Sequence, residues 1–349
     1  MRTVLVTGGA GFVGSALVRH LIRHTAHRVV TVDALTYAGN LRSLASVADD
    51  PRHTFEHVDV CDGGALTEVF RRHRPDAVMH LAAESHVDRS IDASAAFVRT
   101  NVVGTATLLD VVRDRLEGPD AVRRDDFRLI HVSTDEVYGD LPLDGPERFR
   151  EDSPYDPHSP YAASKAASDH FVRAWSHTHG VPAIVTHSTN NYGPWQFPEK
   201  LIPVAVLRAL AGEPIPIYGD GANVRDWIFV EDHARALTAV LERGVIGETY
   251  GIGARCRKTN LEVARAVCGL LDELAPDFPG APHADLITFV DDRPGHDRRY
   301  ATDPSKIERG LGWRPEVGWA DGLRATVAWF VREEAWCRER LAAEADTLG

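Results

Sequence analysis

Residues 3–14 read TVLVTGGAGFVG, in which a short apolar run is followed at once by a glycine-rich segment. The run from Thr3 to Thr7 predicts a buried strand, and the pattern from Ala16 to His24 predicts a helix. Three glycines lie between them at every third position: Gly8, Gly11 and Gly14. Glycines so placed let the backbone turn tightly, approach a pyrophosphate closely and pack the helix against the sheet. The segment therefore predicts the first βα turn of a dinucleotide-binding fold.

An acidic residue ends the second predicted strand. The strand runs from Arg28 to Val32, and Asp33 follows it, 19 residues after Gly14. A carboxylate at this position accepts hydrogen bonds from the adenosine ribose and repels a 2′-phosphate, which favours NAD over NADP. A glycine turn without a ligand is the alternative, and the strand before the turn and the helix after it disfavour that interpretation.

The first half of the chain alternates strands with helices. Further strands are predicted at 54–58, 77–81 and 127–132, and helices near 64–72 and 95–116. This alternation predicts an α/β fold with a doubly wound parallel sheet of the Rossmann type. Residues after two strand ends are candidate cofactor contacts: Asp59 and Val60 near the adenine, and Leu81, Ala82, Ala83, Glu84 and Ser85 along the nicotinamide ribose. Taken singly, Asp59 and Glu84 are more typical of solvated loops.

The fifth predicted strand ends in a cluster of polar side chains. The apolar run 129–132 is followed directly by Ser133, Thr134, Asp135 and Glu136. Ligands of open α/β sheets bind at this end of the strands. Tyr161 and Lys165 begin a helical pattern that runs to about residue 180, and their spacing places both on one helix face. Because a nearby ammonium stabilises phenolate over phenol, Lys165 is expected to lower the pKa of Tyr161.

The length and the change of pattern along the chain predict two domains. A chain of 349 residues exceeds what one hydrophobic core usually supports. After a sixth predicted strand at 183–186, prolines become frequent and polar motifs fall in loops. We therefore expect an NAD-binding domain over residues 1–187 and a smaller mixed α/β domain, mainly for substrate, over residues 188–349. The chain is expected to cross back to the first domain at least once.

The composition is typical of a soluble globular protein, with 44% hydrophobic and 26% charged residues. The net charge of -12 disfavours nucleic acid and anionic membranes as partners, because both require a basic face. Four cysteines occur without paired spacing, so neither a disulfide framework nor a metal site is expected. We find no signal peptide and no apolar run near the ~18 residues of a membrane helix. These features predict a cytoplasmic protein.

Several longer motifs make the chain similar to the dTDP-glucose 4,6-dehydratases of the extended short-chain dehydrogenase/reductase superfamily. They are the segments 33–40, 82–90, 134–139, 190–194, 197–201, 223–227 and 292–297. The similarity covers nearly the full chain. The resemblance to the superfamily depends on the glycine motif and on the pair Tyr161 and Lys165, whereas the resemblance in specific activity depends on Asp135 and Glu136.

This resemblance implies an NAD-dependent lyase that acts on dTDP-glucose or a related nucleotide sugar. In that family the sugar is oxidised at C4, water is eliminated across C5 and C6, and the hydride returns to C6, which gives a 4-keto-6-deoxy sugar. By the resemblance, Tyr161, activated by Lys165, takes the 4-hydroxyl proton, and Thr134 aligns the C4 oxygen. Glu136 removes the C5 proton, and Asp135, kept protonated by a partly apolar site, protonates the departing C6 hydroxyl.

The motifs and the resemblance together give a set of binding positions. Those for the cofactor are Gly8, Gly11, Phe12, Val13, Gly14, Asp33, Leu35, Thr36, Asp59, Val60, Leu81, Ala82, Ala83, Ser85, Thr100, Tyr161, Lys165 and Asn191. Those for the substrate are Ser85, Thr134, Asn190, Glu199, Lys200, Leu201, Pro216, Ile217, Tyr218, Arg225, Arg293 and His296. Arg225 and Arg293 are expected at the diphosphate, because guanidinium groups bind it bidentately. Taken singly, Asn190 is more typical of a turn, Lys200 of a surface charge and Arg225 of an ion pair with Asp226.

Two positions depart from the family pattern. Gly251 stands where the family usually has asparagine or histidine, and His187 stands where arginine or asparagine is commoner. We expect the missing side chain at Gly251 to remove a contact with the substrate phosphates, which leaves the nucleotide base open.

Two alternative functions and one assembly also follow from the pattern. A nucleotide-sugar 4-epimerase or decarboxylase is the enzymatic alternative, although those relatives generally lack the adjacent Asp135 and Glu136. An inactive NAD-binding partner protein is the other, although it would not need the catalytic set. The resemblance further implies a homodimer formed through the helices near 95–116 and 161–180.

Overall fold

The computed structural model describes residues 1–118 and 121–348, and the side chains of residues 1–118 and 121–342. Seven strands form one parallel sheet: β1 (Thr3–Thr7), β2 (Arg28–Asp33), β3 (His53–His57), β4 (Ala77–His80), β5 (Arg128–Thr134), β6 (Ala183–Ser188) and β10 (Thr249–Ile252). From one edge to the other the order is β3, β2, β1, β4, β5, β6 and β10. This is the doubly wound sheet that the sequence predicts. The direction of winding reverses between β1 and β4, and a ligand crevice is expected at their carboxyl ends.

Helices lie on both faces of this sheet and also beyond it, around the small sheets. They are α1 (Phe12–His24), α2 (Gly63–His73), α3 (Val87–Asp92), α4 (Ser94–Phe97), α5 (Gly104–Glu117), α6 (Pro160–His179), α7 (Leu201–Leu210), α8 (Val230–Arg243), α9 (Asn260–Leu274), α10 (Ser305–Leu311), α11 (Trp319–Arg332) and α12 (Glu334–Leu348). A π-helical turn, Val98–Val103, joins α4 to α5. Apolar side chains of α2, α5 and α6 pack on one face of the sheet, and those of α1 and α8 pack on the other.

Two small sheets lie beyond the main sheet. The first contains β7 (Asn190–Tyr192), β9 (Val224–Phe229) and β11 (Arg257–Thr259), with β9 parallel to β7 and antiparallel to β11. The second pairs β8 (Ile215–Tyr218) with β12 (Ile287–Val290) in parallel. A separate hydrophobic cluster unites α7, α9 and α11. The mixed strand directions match the mixed α/β pattern predicted for this half.

The chain returns to the main sheet after residue 187. α8 packs against α1, and β10 pairs with β6, whose Val185 is the register partner of Thr249. Part of the second half of the sequence therefore belongs to the main sheet and its helices. A domain boundary at residue 187 stays a prediction.

One helical stretch, Ser94–Glu117, is long and apolar enough to meet the length and hydropathy criteria for a membrane span. The prediction that no segment approaches that length is wrong by these criteria. The most apolar window of the stretch is 44% buried inside the protein, and α5 packs against α2 and α6. A single helix of this kind is weak support for a membrane span, because a core helix of a soluble protein meets the same criteria.

Candidate active site

A cavity of about 560 Å³ lies at the carboxyl ends of the parallel strands and extends to the small sheets. Every residue predicted to bind cofactor or substrate or to act in catalysis lines it, except Leu35. Leu35 instead packs against the hydrophobic cluster beside α1, and its backbone N–H donates to Oδ1 of Asp33 at 2.8 Å. The structure thus gathers the predicted set in one place, while the role of each residue stays a prediction.

The glycine-rich turn fits a pyrophosphate. Gly8 has a φ of +67°, and a Cβ atom there would lie 2.6 Å from the backbone nitrogen of Ala82. A Cβ atom at Gly14 would collide with the carbonyl oxygen of Gly8. α1 begins after Gly11 with no side-chain cap and no acidic residue in its first turn. The backbone N–H groups of that turn are therefore available to an anion.

Asp33 ends β2 beside this turn. Its carboxylate accepts hydrogen bonds from the backbone N–H groups of Ala10, at 2.9 Å, and of Leu35. Burial raises the pKa of Asp33, and these backbone hydrogen bonds oppose the rise. Each carboxylate oxygen keeps a further lone pair for a ribose hydroxyl. The turn and Asp33 together fit the adenosine half of NAD, and a 2′-phosphate would meet a carboxylate.

Two other predicted cofactor contacts have defined partners. Oδ1 of Asp59 accepts from the backbone N–H of Cys61 at 2.9 Å, and its side chain is half-exposed at the rim of the cavity. Oδ1 of Asn191 lies 2.8 Å from Nδ1 of His233, which the sequence reasoning missed. Burial lowers the pKa of His233 to about 3, so its ring is neutral and donates to Asn191. Both partners hold a polar side chain in place at the cavity wall.

The polar end of β5 forms a turn that presents two carboxyl groups. Thr134 is the last residue of β5, and its hydroxyl accepts from the backbone N–H of Glu136 at 3.2 Å. This hydrogen bond caps a 3₁₀ turn over Asp135–Tyr138. As a result Asp135 and Glu136 line the cavity side by side.

α6 places the other two predicted catalytic side chains. Oγ of Ser159 accepts from the backbone N–H of Ala162 at 3.1 Å, and Pro160 occupies the first helical position. Both features are typical of a helix start. Tyr161 and Lys165 consequently lie one turn apart, and both line the cavity opposite the end of β5.

The predicted activation of Tyr161 is wrong for the protein by itself. Burial, and then the charge of Glu136, raise the pKa of Tyr161 well above its usual range, although a hydrogen bond with the Thr134 side chain opposes the rise. Burial lowers the pKa of Lys165 to about 8, and its Nζ donates to the carbonyl oxygen of Val132 at 2.9 Å. Tyr161 is therefore a neutral phenol that loses its proton only when additional positive charge or a proton acceptor comes close.

The two adjacent carboxyl groups have different surroundings. Burial and the charge of Glu136 raise the pKa of Asp135 to about 7. Burial also raises the pKa of Glu136, but three cations oppose that rise: Arg293, Lys200 and Arg225. The cations stabilise a carboxylate at Glu136, so a proton shared by the pair is favoured on Asp135. Such a pair can donate one proton and accept another.

Arg225 is held by backbone and ring contacts. Its guanidinium donates to the carbonyl oxygen of Asp297 at 2.9 Å and lies over the ring of Tyr300, 4.2 Å from the centroid. The ion pair with Asp226 that the sequence suggested does not form, because that carboxylate accepts from the backbone N–H groups of residues 255 and 256. Arg225 is mostly buried and lines the cavity, where it can meet a diphosphate.

Arg293 reaches the cavity from a distant part of the chain. Its Nη1 donates to Oδ1 of Asp88 at 2.6 Å, and Oη of Tyr218 donates to the other oxygen of Asp88 at 3.4 Å. The ring of His296 lies 6.1 Å from that of Tyr218, and its Nδ1 lies 2.6 Å from Oδ1 of Asp292. These contacts tie the 292–297 segment to α3 across one end of the cavity.

Lys200 and Glu199 lie at the start of α7. Nζ of Lys200 donates to the carbonyl oxygen of Ser85 at 2.9 Å, and burial lowers its pKa. Glu199 forms an ion pair with Arg89 at 3.1 Å. Lys200 is therefore a partly exposed cation that lines the cavity and acts on Glu136, and not the isolated surface charge that the sequence suggested. The remaining predicted substrate residues complete this wall: Asn190, Leu201, Pro216 and Ile217.

Some residues that build the site were missed. The cavity is also lined by His86, Asp88, Gln196, Phe197, Trp227, His233, Asn260 and Tyr300. Asn101 is buried outside it, where Oδ1 accepts from the backbone N–H of Glu84 at 2.9 Å and Nδ2 donates to Oγ of Ser164 at 2.8 Å. Asn101 thus joins the loop after β4 to α6. A polar residue within the apolar 95–116 pattern was the signal that could have identified it.

The two departures from the family pattern lie away from the cavity. Gly251 and His187 are register partners on β10 and β6. His187 is fully buried, with Nδ1 2.6 Å from Oη of Tyr138 and Nε2 3.0 Å from Oδ2 of Asp169. A Cβ atom at Gly251 would lie 3.0 Å from Cγ2 of Thr302. The expectation that Gly251 removes a phosphate contact is therefore wrong, because both positions face the interior behind the catalytic residues.

Comparison with known proteins shows which families this chain is similar to. Residues 5–326 match the family described as GDP-mannose 4,6 dehydratase. The dTDP-glucose 4,6-dehydratase of Neisseria meningitidis serogroup B is 58% identical over 338 residues, which cover 96% of this chain and 95% of the relative. The dTDP-glucose 4,6-dehydratase 1 of Escherichia coli K12 is 54% identical over 340 residues, 95% of this chain and 94% of the relative.

Solved structures of a dehydratase and of an epimerase are also similar to this chain. DesIV of Streptomyces venezuelae, a dTDP-glucose 4,6-dehydratase solved with NAD and TYD bound, is 46% identical with a TM-score of 0.86, over 96% of this chain and 98% of that chain. The UDP-glucose 4-epimerase of Thermus thermophilus, solved with NAD, is 31% identical with a TM-score of 0.81, over 94% of this chain and 99% of that chain. Three observations indicate the same family: the glycine turn, the pair Tyr161 and Lys165, and the sequence identity to known dehydratases. The chain belongs to the dTDP-glucose 4,6-dehydratase family, NAD-dependent lyases of the extended short-chain dehydrogenase/reductase superfamily.

Proposed function

We propose that the chain converts dTDP-glucose to dTDP-4-keto-6-deoxyglucose and water, with NAD as its cofactor. The observation that carries this proposal is the asymmetric pair Asp135 and Glu136 at the end of β5. The 4-epimerase of Thermus thermophilus has the same fold, so the fold does not separate the two activities. A neighbouring acid and base are required for elimination of water, and epimerisation does not need them.

Bound NAD supplies a hydride acceptor that regains its oxidised form within the same turnover. Once it is ionised by the positive charge of Lys165 and of the nicotinamide, Tyr161 takes the proton of the 4-hydroxyl. Thr134, whose side chain is hydrogen-bonded to Tyr161, aligns the oxygen at C4. Lys165 adds a positive charge one helical turn from the phenol and is anchored by Val132. These three residues prepare the sugar for elimination, because a ketone at C4 makes the proton at C5 acidic.

Elimination then uses the two carboxyl groups. Glu136, kept ionised by the cations around it, removes the proton at C5, while Asp135 donates its proton to the C6 oxygen as the C6–O bond breaks. Glu136 returns its proton to C5 at the end of the cycle. The proton that Tyr161 took from O4 replaces the one that Asp135 lost, so only water leaves the sugar.

The nucleotide diphosphate is bound by local cations in a protein of net charge -12. Arg225, Arg293 and Lys200 converge on one end of the cavity, and the first two can bind phosphate oxygens bidentately. The dTDP specificity is supported by the names of relatives that are 58% and 54% identical.

A substrate panel tests the proposal. The purified protein with NAD is incubated with dTDP-, UDP-, CDP- and GDP-glucose, and the absorbance of 4-keto-6-deoxy sugars in strong base is measured. We expect the largest signal with dTDP-glucose and no net accumulation of free NADH. Steady release of NADH would indicate a simple dehydrogenase, and an epimerised sugar without the base-dependent absorbance would indicate an epimerase.

We propose that the protein is a homodimer formed through the helices near 95–116 and 161–180, which lie in α4 to α6. Two apolar side chains of the first stretch face solvent: Val98 at 52% exposure and Val103 at 49%. Other apolar residues of the same stretch, including Phe97 and Leu108, are buried in the protein itself. Val98→Asp is expected to shift the mass in solution from dimer to monomer, whereas Val245→Asp, at an equally exposed loop position, is not. A monomeric wild-type protein at micromolar concentration contradicts the proposal.

We also propose a cytoplasmic location. All four cysteines are free thiols, which is typical of a reducing compartment. Cell fractionation with an antibody to the protein tests this, and recovery with the membrane fraction after a salt wash would contradict it.

A further inference from the structure

The mechanism above gives no role to the buried carboxylate of Asp226. This residue is 1% exposed and belongs to the 223–227 motif. Its Oδ1 accepts from the backbone N–H of Cys256 at 2.6 Å, and its Oδ2 accepts from that of Arg255 at 3.2 Å. Burial raises the pKa of Asp226, and these backbone hydrogen bonds oppose the rise. Because both oxygens only accept hydrogen bonds, their contacts favour a negative charge at Asp226 inside the protein.

This charge is contiguous with the proposed acid. A Cβ atom at Gly253 would lie 2.8 Å from Oδ2 of Asp226 and 3.4 Å from Cβ of Thr302, so both side chains border the same glycine. Oγ1 of Thr302 in turn donates to Oδ2 of Asp135 at 2.9 Å. All three side chains are almost fully buried, so solvent does not screen them.

Thr189 links the two acidic residues. Its Oγ1 donates to the backbone carbonyl oxygen of Asp226 at 2.7 Å. Its side chain also contacts the side chain of Asp135 and, like that of Thr302, opposes the rise in the pKa of Asp135.

We propose that Asp226, Thr302 and Thr189 are positioning residues that hold Asp135 as the proton donor of the elimination. Asp226 supplies the negative charge that disfavours a second carboxylate, Thr302 fixes one oxygen of Asp135 as an acceptor, and Thr189 links the side chain of Asp135 to the backbone of Asp226. The inference rests on the proposed function, in which Asp135 protonates the C6 oxygen. It adds three residues that do not touch the reacting atoms.

The groups that face Asp135 act in opposite directions. Burial and the charge of Glu136 raise the pKa of Asp135 to about 7, the hydrogen bond from Thr302 opposes that rise, and the charge of Asp226 adds to it. Tyr161 and Tyr138 are the other titratable groups beside it, and burial raises the pKa of both. Removal of Asp226 and removal of Thr302 should consequently have opposite effects.

The pH dependence of kcat tests this opposition in the NAD-loaded enzyme. Because Asp135 must be protonated to act, activity falls as pH rises through its pKa. Asp226→Asn removes a negative charge, so the alkaline limb is expected to move to lower pH by on the order of one unit. Thr302→Val removes a donor to the carboxylate, so the limb is expected to move to higher pH. Equal losses of rate at every pH, with the limb unmoved, would show that both residues are only structural.

Matched variants control for packing. Thr302→Ser keeps the hydroxyl and is expected to keep the wild-type limb. Thr326→Val removes another buried hydroxyl, which donates to the carbonyl oxygen of Gly322 far from the cavity, and should leave the limb in place. If Asp226→Asn does not fold, the proposal is tested by the pH of the alkaline limb in Thr302→Val compared with Thr302→Ser. Equal limbs in these two variants would contradict it.

A direct titration separates this inference from the proposed function. The carboxyl band of Asp135 is followed with pH by infrared difference between proteins with and without Asp135→Asn. If the band titrates at shifted pH in the Asp226 and Thr302 variants while the rate limb stays, the positioning role stands and the acid role fails. If the band does not shift in either variant, the positioning role is wrong whatever the rates do.

Discussion

The two carboxyl groups that follow β5 are neighbours in the chain but face different regions of the molecule. Behind Asp135 lie the hydroxyl of Thr302 and the buried charge of Asp226. In front of Glu136 lies a group of cations: Arg225, Arg293 and Lys200. One region favours a neutral carboxyl group and the other favours a carboxylate. The comparison teaches that the surroundings, and not the residue type, determine which group is suited to donate a proton and which to accept one.

The largest loss of activity is expected when the proposed base, Glu136, is replaced. Glu136→Gln keeps the size of the side chain but cannot accept the C5 proton, so kcat is expected to fall toward the upper end of the ~10²–10⁴-fold range. Deuterium exchange from solvent into C5 should disappear, although oxidation at C4 remains possible through Tyr161. Mass spectrometry of recovered substrate measures the exchange. Exchange at the wild-type rate in a folded variant would show that another group removes the proton.

Removal of the acid is expected to have a smaller effect. Asp135→Asn cannot donate a proton to the C6 oxygen, but a water molecule can partly replace the donor, so we expect a loss nearer ~10²-fold. Exchange at C5 should persist because Glu136 is intact. Single-turnover product analysis and the exchange experiment together distinguish the two variants. If both variants, shown to be folded, dehydrate at near wild-type rates, the assignment of elimination to this pair is wrong.

The cationic region can be tested without a change to either carboxyl group. Arg293→Gln removes a positive charge that stabilises the carboxylate of Glu136, so the pKa of Glu136 should rise. Since the base must be ionised, the acidic limb of kcat is expected to move to higher pH by on the order of one unit. KM should also rise, because Arg293 is proposed to bind the diphosphate.

A surface arginine gives the matched control for this experiment. Arg298 lies five residues further along the chain and forms an ion pair with Asp220 at 3.3 Å, outside the cavity. Arg298→Gln changes the net charge by the same amount but should leave the acidic limb in place. A limb that moves equally in both variants would reflect overall charge and would contradict the specific role of Arg293.

The local parts of this arrangement could be predicted from the sequence. β1 spans Thr3–Thr7 as predicted, because an apolar run followed by glycines has few other interpretations. The end of β5 was predicted two residues short, since the strand continues into polar Thr134. Such signals arise within a few residues of chain. They suffice for six of the seven strands of the sheet and for the positions of the predicted catalytic residues.

The electrostatic parts could not be predicted, because they depend on contacts between distant segments. Arg293 and Asp88 are 205 positions apart, and no local pattern relates them. The pKa of Tyr161 is raised because burial and Glu136 outweigh the hydrogen bond with Thr134, and burial is a property of the folded chain. The same holds for β10, which joins the main sheet from the second half of the sequence. The spacing of residues in the sequence indicated which side chains lie close together. Only the folded structure shows whether they raise or lower each other's pKa.

The smallest expected effect concerns stability. The pKa of Asp135 is about 7 in the folded protein and close to its ordinary lower value when unfolded. Between these values the folded state binds more protons than the unfolded state, so this group makes the protein less stable as pH rises. Asn at position 135 can accept from Thr302, as the carboxyl group does, and carries no charge. Asp135→Asn should therefore stabilise the protein at high pH.

Thermal or urea unfolding of the NAD-saturated proteins measures this effect. Asp135→Asn is expected to raise the free energy of unfolding by about 1–3 kcal/mol at about pH 8, and the gain should vanish below about pH 4, where wild-type Asp135 is protonated in both states. Glu136→Gln should stabilise less at high pH, because Arg293, Lys200 and Arg225 would then lose the anion that offsets their charge. The difference between the two variants thus measures the difference between the two regions. A destabilised Asp135→Asn at every pH, or equal gains for both variants, would mean that the surroundings of the two carboxyl groups do not differ as described.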